Sequence, residues 1–314
     1  MKDSIWKLIN DSNSILVLTH ESPDGDAIGS SLAFYEMLLT YDKDVDVVIP
    51  EFPPTFTYLK HSNKVKPDSD KKYDLCIVVD CANKSRVAFN KNEFDNCKKS
   101  IIIDHHISNA KYGDINYVEG NTSSCCQVLY YLFKEWGVKF TKDIGEALIT
   151  GSLTDTNGFR NCNVDSSTFL MAAQLFDMGI DVHKIYYLAI SKKRMAQYLL
   201  MKMTLDRMEL YADGKIAFSY ISHEDMENVS ALQGDHEGLV ELGRNIEGVE
   251  VSVFMREDDQ YRISLRSNGL VNVNEIAKKF GGGGHAMAAG IKLNGNFKET
   301  KEKVINEIIK ELSN

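Results

Sequence analysis

The chain alternates short apolar runs with stretches in which apolar residues recur at three- and four-residue spacing. Residues 14–19, 44–49, 75–79 and 100–103 read as strands, whereas 27–39, 124–136, 144–153 and 165–178 carry the helical period. Strands that are apolar throughout, separated by helices, are strands covered on both sides. They predict an α/β first domain with a parallel sheet and helices on both faces. Residues 191–207, rich in Lys, Arg and Met at helical spacing, predict a helical linker. Beyond it the pattern turns to hairpins: 210–211 and 216–221 flank the turn 212–215, and 249–255 and 261–267 flank 257–260. A final helix, 298–312, stripes Val304, Ile305, Ile308, Ile309 and Leu312 onto one face. The expectation is a catalytic domain over 1–190, a helical linker over 191–209 and a smaller mixed α/β domain over 210–314.

Composition changes this picture little. With 314 residues and 43% hydrophobic positions, two domains can each bury a core. The net charge of −9 argues against broad adhesion to duplex nucleic acid, which rests on basic surface. Most of the excess acid lies in the first domain. No apolar run approaches the length of a membrane span and the N-terminus is not a signal peptide, so the expectation is a cytoplasmic protein that avoids membranes. Cysteines 76, 81, 97, 125, 126 and 162 form no C-x-x-C pair and read as reduced thiols.

The acids fall in a pattern. The first strand runs into His20, Asp24 and Asp26, with Gly25 between the two carboxylates. Strand 75–79 runs into Asp80, and strand 100–103 into Asp104, His105 and His106. Sites in open parallel sheets form outside the carboxyl ends of strands, so these termini share one edge. A fourth segment, 151–160, follows an apolar helix and brings Asp155 and Arg160. Singly, each has an ordinary explanation: a D-x-D turn is commonly a loop or helix cap, and Asp26 is placed to cap the helix that follows. Four such segments in one domain outweigh those explanations. Carboxylates and imidazoles without thiolates suit Mn²⁺, with Co²⁺, Fe²⁺ and Mg²⁺ left open, and the number of ligands suits two ions.

The second domain adds two further features. Four glycines, 281–284, precede His285 and allow backbone N–H groups to converge on an anion. On strand 261–266, Arg262, Ser264 and Arg266 alternate with Tyr261, Ile263 and Leu265, which points both arginines to one face, suited to a phosphate.

Asp104-His105-His106, the His20–Asp26 segment, Asp80 and the Asp155 segment resemble the four signatures of the DHH phosphoesterase superfamily. Gly282, Gly283, Gly284 and His285 resemble its DHH-associated C-terminal domain. Order and spacing are similar to the stand-alone branch that degrades oligoribonucleotides and dephosphorylates 3′-phosphoadenosine 5′-phosphate (PAP). The resemblance implies His20, Asp24 and Asp80 on one metal, and Asp26, Asp80, His105 and Asp155 on the other, with Asp80 bridging. It implies that Asp104 orients a histidine and that His106 faces the substrate phosphate. Arg262, Arg266, the glycines and His285 would hold the nucleotide portion, and Arg160 would reach phosphate from the catalytic side. The expected partners are short single-stranded RNA or small nucleotides, not duplexes; a homodimer is left open. Hydrolysis of cyclic di-AMP or its linear product is the alternative. A family II inorganic pyrophosphatase is less well matched, because Ser191-Lys192-Lys193 only loosely echoes its Ser-Arg-Lys motif. An idle nucleotide-binding module would have lost a ligand, and none is lost here.

Overall fold

The computed structural model describes residues 1–88, 93–161, 163–232 and 234–312; Cys162 lies outside them. The chain separates into two compact units, Met1–Lys192 and Lys193–Asn314.

The first unit runs α1 (Lys2–Asp11), β1 (Ser14–Leu18), α2 (Gly25–Thr40), β2 (Asp44–Val47), β3 (Tyr73–Val79), β4 (Cys97–Asp104) and β5 (Ile115–Val118), then α3 (Cys125–Glu135), α4 (Lys142–Asp155), α5 (Ser166–Asp177) and α6 (Val182–Tyr186). Its five strands are all parallel, in the order β2-β1-β3-β4-β5. The central strands are buried on both faces, which is why they read as unbroken apolar runs. The edge strand β5 is only half-buried and carried no such signal. Register decides where the strand exits fall. Leu18 pairs with Val78 and Val79 with Ile103. Continuing past those pairs brings His20, Asp80 and Asp104 to one row of strand exits, with neighbouring strands about 4.8 Å apart.

The helices gather on one face, where Ile15, Val17, Ile77 and Ile103 pack against Ile28, Leu32, Leu129, Leu148 and Leu153. On the opposite face Leu16, Leu18, Cys76, Val78 and Ile102 are covered, among the described residues, by Val87, Phe94 and Tyr112 from the connections after β3 and β4.

Helices α2 and α4 pack backbone to backbone. A Cβ on Gly25 would stand 2.3 Å from Thr154 Oγ1, and one on Gly29 would stand 2.5 Å from the Ala147 carbonyl. Only glycine permits this approach. The pairs run antiparallel, so the start of α2, with Asp26, lies beside the end of α4, with Asp155.

The second unit runs α7 (Met195–Asp206), β6 (Glu209–Tyr211), β7 (Ile216–Ile221), α8 (His223–Asn228), α9 (Leu239–Arg244), β8 (Val251–Arg256), β9 (Tyr261–Ser267), α10 (Val273–Lys279), β10 (Gly283–His285), β11 (Ala288–Leu293) and α11 (Phe297–Leu312). The sheet order is β10-β11-β9-β8-β7-β6, with β7 and β8 parallel and every other pair antiparallel. One face packs on α10 and α11 through Val273, Ile276, Val304 and Ile308. On the other, Leu200 of α7 is fully buried with Ile221, Leu239 and Phe254. Helix α7, read from the sequence as linker, therefore packs on the second sheet. Among the described residues, no helix is long and apolar enough to cross a membrane.

Candidate metal centre

Three donor sets converge at the exits of the first sheet: His20, Asp24 and Asp80; Asp26, His105 and Asp155; and Asp80, Asp104, His105 and His106. Within each set one donor atom per residue lies within 4.8 Å of the others. Asp80 and His105 each belong to two sets, so the sets are contiguous. His20 Nε2 stands 3.8 Å from Asp80 Oδ2 and 3.9 Å from Asp24 Oδ1. His105 Nε2 stands 3.6 Å from Asp80 Oδ1, 3.7 Å from Asp155 Oδ2 and 3.9 Å from Asp26 Oδ2. These spacings are too long for hydrogen bonds.

The second nitrogen of each ring fixes its tautomer. His20 Nδ1 lies 2.8 Å from the Glu21 carbonyl and His105 Nδ1 lies 3.4 Å from the Thr122 carbonyl. A carbonyl only accepts, so both Nδ1 atoms carry hydrogen and Nε2 is the ring atom turned towards the carboxylates, free to ligate when the ring is neutral. Asp80 Oδ1 is buried without a hydrogen-bond partner. An orphaned carboxylate oxygen 3.6 Å from His105 Nε2 fits a shared cation.

The two carboxylates of the Asp24–Asp26 turn have different supports. Asp24 is the N-cap of α2, its Oδ1 accepting from the amides of Asp26 and Ala27, each at 3.0 Å. The cap that the sequence offered to Asp26 thus belongs to Asp24. Asp26 is buried, and its carboxylate accepts from the N–H groups of Cys125 (2.6 Å) and Cys126 (2.9 Å). The first turn of α3 thereby holds an anion with its unpaired amides. Ser124 caps that helix through Gln127 N–H. Sequence reasoning counted these cysteines as thiols and missed their backbone role; a Ser N-cap just before them was the available signal.

Crowding shows in the acid strengths. Burial, then the charges of Asp26, Asp24, Asp104 and Asp155, push the Asp80 carboxyl well up. Burial raises Asp26 as well, against the opposing pull of His105. Asp155 is pushed up to about 8, by burial first and then by Asp26 and Asp24. Asp104 goes the other way: burial would raise it, but bonds from His106 and Asn109 hold it below the usual carboxylate range. His106 Nδ1 lies 2.8 Å from Asp104 Oδ1, and that bond raises the imidazole. Asp80 also has φ +52, a left-handed backbone rare outside glycine and asparagine. Asn157 and Phe159, just after Asp155, share that conformation.

Arg160 is exposed one turn beyond Asp155 and pairs with no side chain among the described residues. In the second unit, Arg262 Nε lies 2.9 Å from Asp258 and Arg266 Nε lies 3.0 Å from Glu241. His285 is exposed on the edge strand β10. The glycine run joins α10 to the edge of the second sheet. Gly281 and Gly282 donate to the Lys278 and Ala277 carbonyls at the end of α10, and Gly283 and Gly284 pair with Gly290 and Ala289 on one side of β10. Close packing also requires glycine there: a Cβ on Gly282 would stand 2.2 Å from the Gly290 carbonyl, and one on Gly284 would stand 2.3 Å from that of Ala288.

The profile of the DHH family N-terminal domain matches residues 14–152, and that of the DHHA1 domain matches 213–314. The bifunctional oligoribonuclease and PAP phosphatase NrnA of Thermus thermophilus is 31% identical over 306 residues, 95% of this chain and 90% of that protein. The cyclic-di-AMP phosphodiesterase PdeA of Listeria monocytogenes is 26% identical over 98% of this chain, but the match spans only 49% of that protein. A crystal structure of an exopolyphosphatase-related protein from Bacteroides fragilis superposes with a TM-score of 0.89 at 28% identity, covering 99% of this chain and 95% of the other. The donors His20 to His106 and the glycine-pinned β10–β11 hairpin lie inside the two matched regions, with Asp155 three residues past the end of the first, and the chain belongs to the DHH family, with a C-terminal DHHA1 domain.

Proposed function

We propose that this chain is a dinuclear-metal phosphoesterase that degrades short oligoribonucleotides to mononucleotides and removes the 3′-phosphate of PAP. The observation that carries the reading is Asp80, a buried carboxylate with an orphaned oxygen, shared between two sets of carboxylate and imidazole donors. An oligoribonuclease and PAP phosphatase that aligns along nearly its whole length supports the substrate class.

In this reading His20, Asp24 and Asp80 hold one divalent ion and Asp26, Asp80, His105 and Asp155 hold the second. Mn²⁺ matches the mixed oxygen and nitrogen donors best. Such ions supply Lewis-acid polarisation of the phosphate and acidification of water at neutral pH. The N–H groups of Cys125 and Cys126 keep Asp26 aimed at its set. Asp104 fixes the His106 ring through Nδ1 and keeps it protonated, which leaves the Nε2 proton for the departing oxygen. Arg160 on the first unit, and Arg262, Arg266, Gly282, Gly283, Gly284 and His285 on the second, are the substrate-contacting candidates. The glycines also let β10 lie close against β11. The reading includes a cytoplasmic setting, in keeping with thiols that remain free at Cys76, Cys81, Cys97, Cys125 and Cys126.

The second reading, cyclic di-AMP or its linear product as substrate, draws on the Listeria relative, of which this chain spans about half. A panel with Mn²⁺ separates the two: diribonucleotides, longer RNA, PAP, cyclic di-AMP, its linear product and pyrophosphate. Turnover of diribonucleotides and PAP above all others is expected. Preference for cyclic di-AMP would install the second reading, and preference for pyrophosphate would overturn both.

A further inference from the structure

Something must hold Asp80 in its left-handed conformation, which is unfavourable when nothing compensates it. Its own N–H donates to the Ile103 carbonyl of β4 at 3.0 Å. The next peptide is gripped from outside the sheet. The Cys81 carbonyl accepts from Asn109 Nδ2 at 3.2 Å and from Tyr112 Oη at 3.0 Å, and Ala110 N–H donates to the Ala82 carbonyl at 2.9 Å. The segment after the Asp-His-His turn is therefore clipped to the segment after Asp80.

Asn109 does more than join the clip. Its Nδ2 also donates to Asp104 Oδ2 at 2.6 Å, while its Oδ1 accepts from Lys111 N–H at 2.7 Å. The side chain is buried and every polar position on it is used. Among the described residues, no other side chain bonds both to the peptide after β3 and to the carboxylate at the end of β4. Those two exits carry Asp80 and the Asp104-His105-His106 run.

We propose that Asn109 is a positioning residue: its carboxamide ties the exits of β3 and β4 together and so fixes where Asp80 stands between the two donor sets. This rests on the metal-centre reading and extends it to a residue that touches neither ion nor substrate. The plainer account of Asn109 is a turn former, since Oδ1 on Lys111 N–H is an ordinary Asx turn.

Asn109→Asp separates the two accounts. It keeps the turn-forming acceptor and the size but has no amide hydrogens for Cys81 or Asp104. Asn109→Ala removes everything, and Asn116→Ala is the control. Asn116 closes the same connection by bonding Gly113 twice and reaches neither exit. Mn²⁺ uptake by the full chain is followed by calorimetry and by the electron paramagnetic resonance signature of coupled ions, with kcat and KM measured in parallel. Both Asn109 variants should bind one of the two ions about 10–100-fold more weakly and lose kcat by a similar factor. KM should stay within about threefold, since ground-state binding is untouched. Asn116→Ala should lower the melting temperature without changing Mn²⁺ uptake.

If Asn109→Ala does not fold, Tyr112→Phe removes one bond from the same carbonyl at constant shape and should weaken the same ion several-fold. Folded Asn109 variants with two ions bound at wild-type affinity would overturn the inference and leave the metal centre standing. A wild-type chain that takes up fewer than two Mn²⁺ ions would overturn the metal-centre reading, and the inference with it.

Discussion

Gly151→Ala tests the centre from a residue that carries no chemistry. Gly151 lies in α4 with helical φ, where alanine should gain about 1 kcal/mol from propensity. Its surroundings forbid that gain. A Cβ would stand 2.3 Å from Cys126 Sγ, 2.7 Å from Asp26 Oδ1 and 3.0 Å from Asp26 Cα, against an ordinary contact near 3.4–4 Å. Both obstacles are buried, so neither can swing into solvent. Relief requires α2, α3 or α4 to move by roughly 1 Å, and Asp26 lies where all three meet. Overpacking of this kind costs about 1–3 kcal/mol, so the net loss of stability should be about 0–2 kcal/mol. The functional loss should be far larger. A 1 Å displacement of a positioned group costs about 100-fold in rate, and the shifted carboxylate would also strain its bonds to the amides of Cys125 and Cys126. Calorimetric Mn²⁺ titration and urea unfolding measure the two effects on the same preparation. A folded variant with wild-type Mn²⁺ affinity would refute the claim that the α2–α4 contact sets the position of Asp26.

Three further outcomes are expected. Asp80→Asn should abolish uptake of one Mn²⁺ ion and lower turnover at least about 100-fold, yet raise the melting temperature of the metal-free protein at alkaline pH, because the amide has no proton to lose beside acids that oppose its ionisation; a variant less stable there would count against the crowding. The pH dependence has a definite sign: Asp155 titrates near 8 and Asp80 and Asp26 are also raised, so the folded apo protein holds protons that the unfolded chain has released. Their stabilising contribution is present below about pH 4 and lost as pH rises through 8. Thermal melts between pH 6 and 9 should therefore fall for the apo protein and stay flatter with Mn²⁺, and parallel curves would contradict the shifts. Gly284→Ala, at φ +155 with the Ala288 carbonyl in the way, should detach β10 from β11 and cost about 1–3 kcal/mol in the second unit; a Mn²⁺ titration that changed with it would show that the hairpin supports more than its own sheet.

Much of this was legible in the sequence, for identifiable reasons. Buried parallel strands are apolar on both faces, so β1, β3 and β4 announced themselves, and strand ends are where such sheets place their chemistry. What could not be read was contact between segments distant in sequence. Asp26 meets the amides of Cys125 and Cys126 across about a hundred residues, and a backbone donor leaves no signature in residue type. Residue type alone does not distinguish Asn109 from an ordinary turn asparagine. The glycine run was visible, but its packing was not: only the neighbouring carbonyls of Ala288 and Gly290 show how closely β10 and β11 approach at Gly284 and Gly282. Val87 and Phe94, which help cover the other face of the first sheet, lie in a connection without apolar period, so nothing local marked them.

The features of the centre share a direction of cost. Asp80 has a left-handed backbone, Asp26 and Asp155 resist ionisation, and two imidazoles aim Nε2 at these acids from beyond hydrogen-bond distance. None of these arrangements stabilises an ion-free fold, and each disappears as a cost once divalent charge is supplied. The packing that opposes them is all elsewhere: a strand core without a polar gap, helices in glycine contact, and a side-chain clip through Asn109 and Tyr112. The same logic reinterprets the net charge of −9. An acidic protein is poorly equipped to hold a long polyanion along its surface, but acids confined to one pocket draw in cations and then present positive charge at a single point. Such a site favours a substrate small enough to be held by its phosphate, which is the chemistry of dinucleotides and nucleoside bisphosphates and not of duplexes.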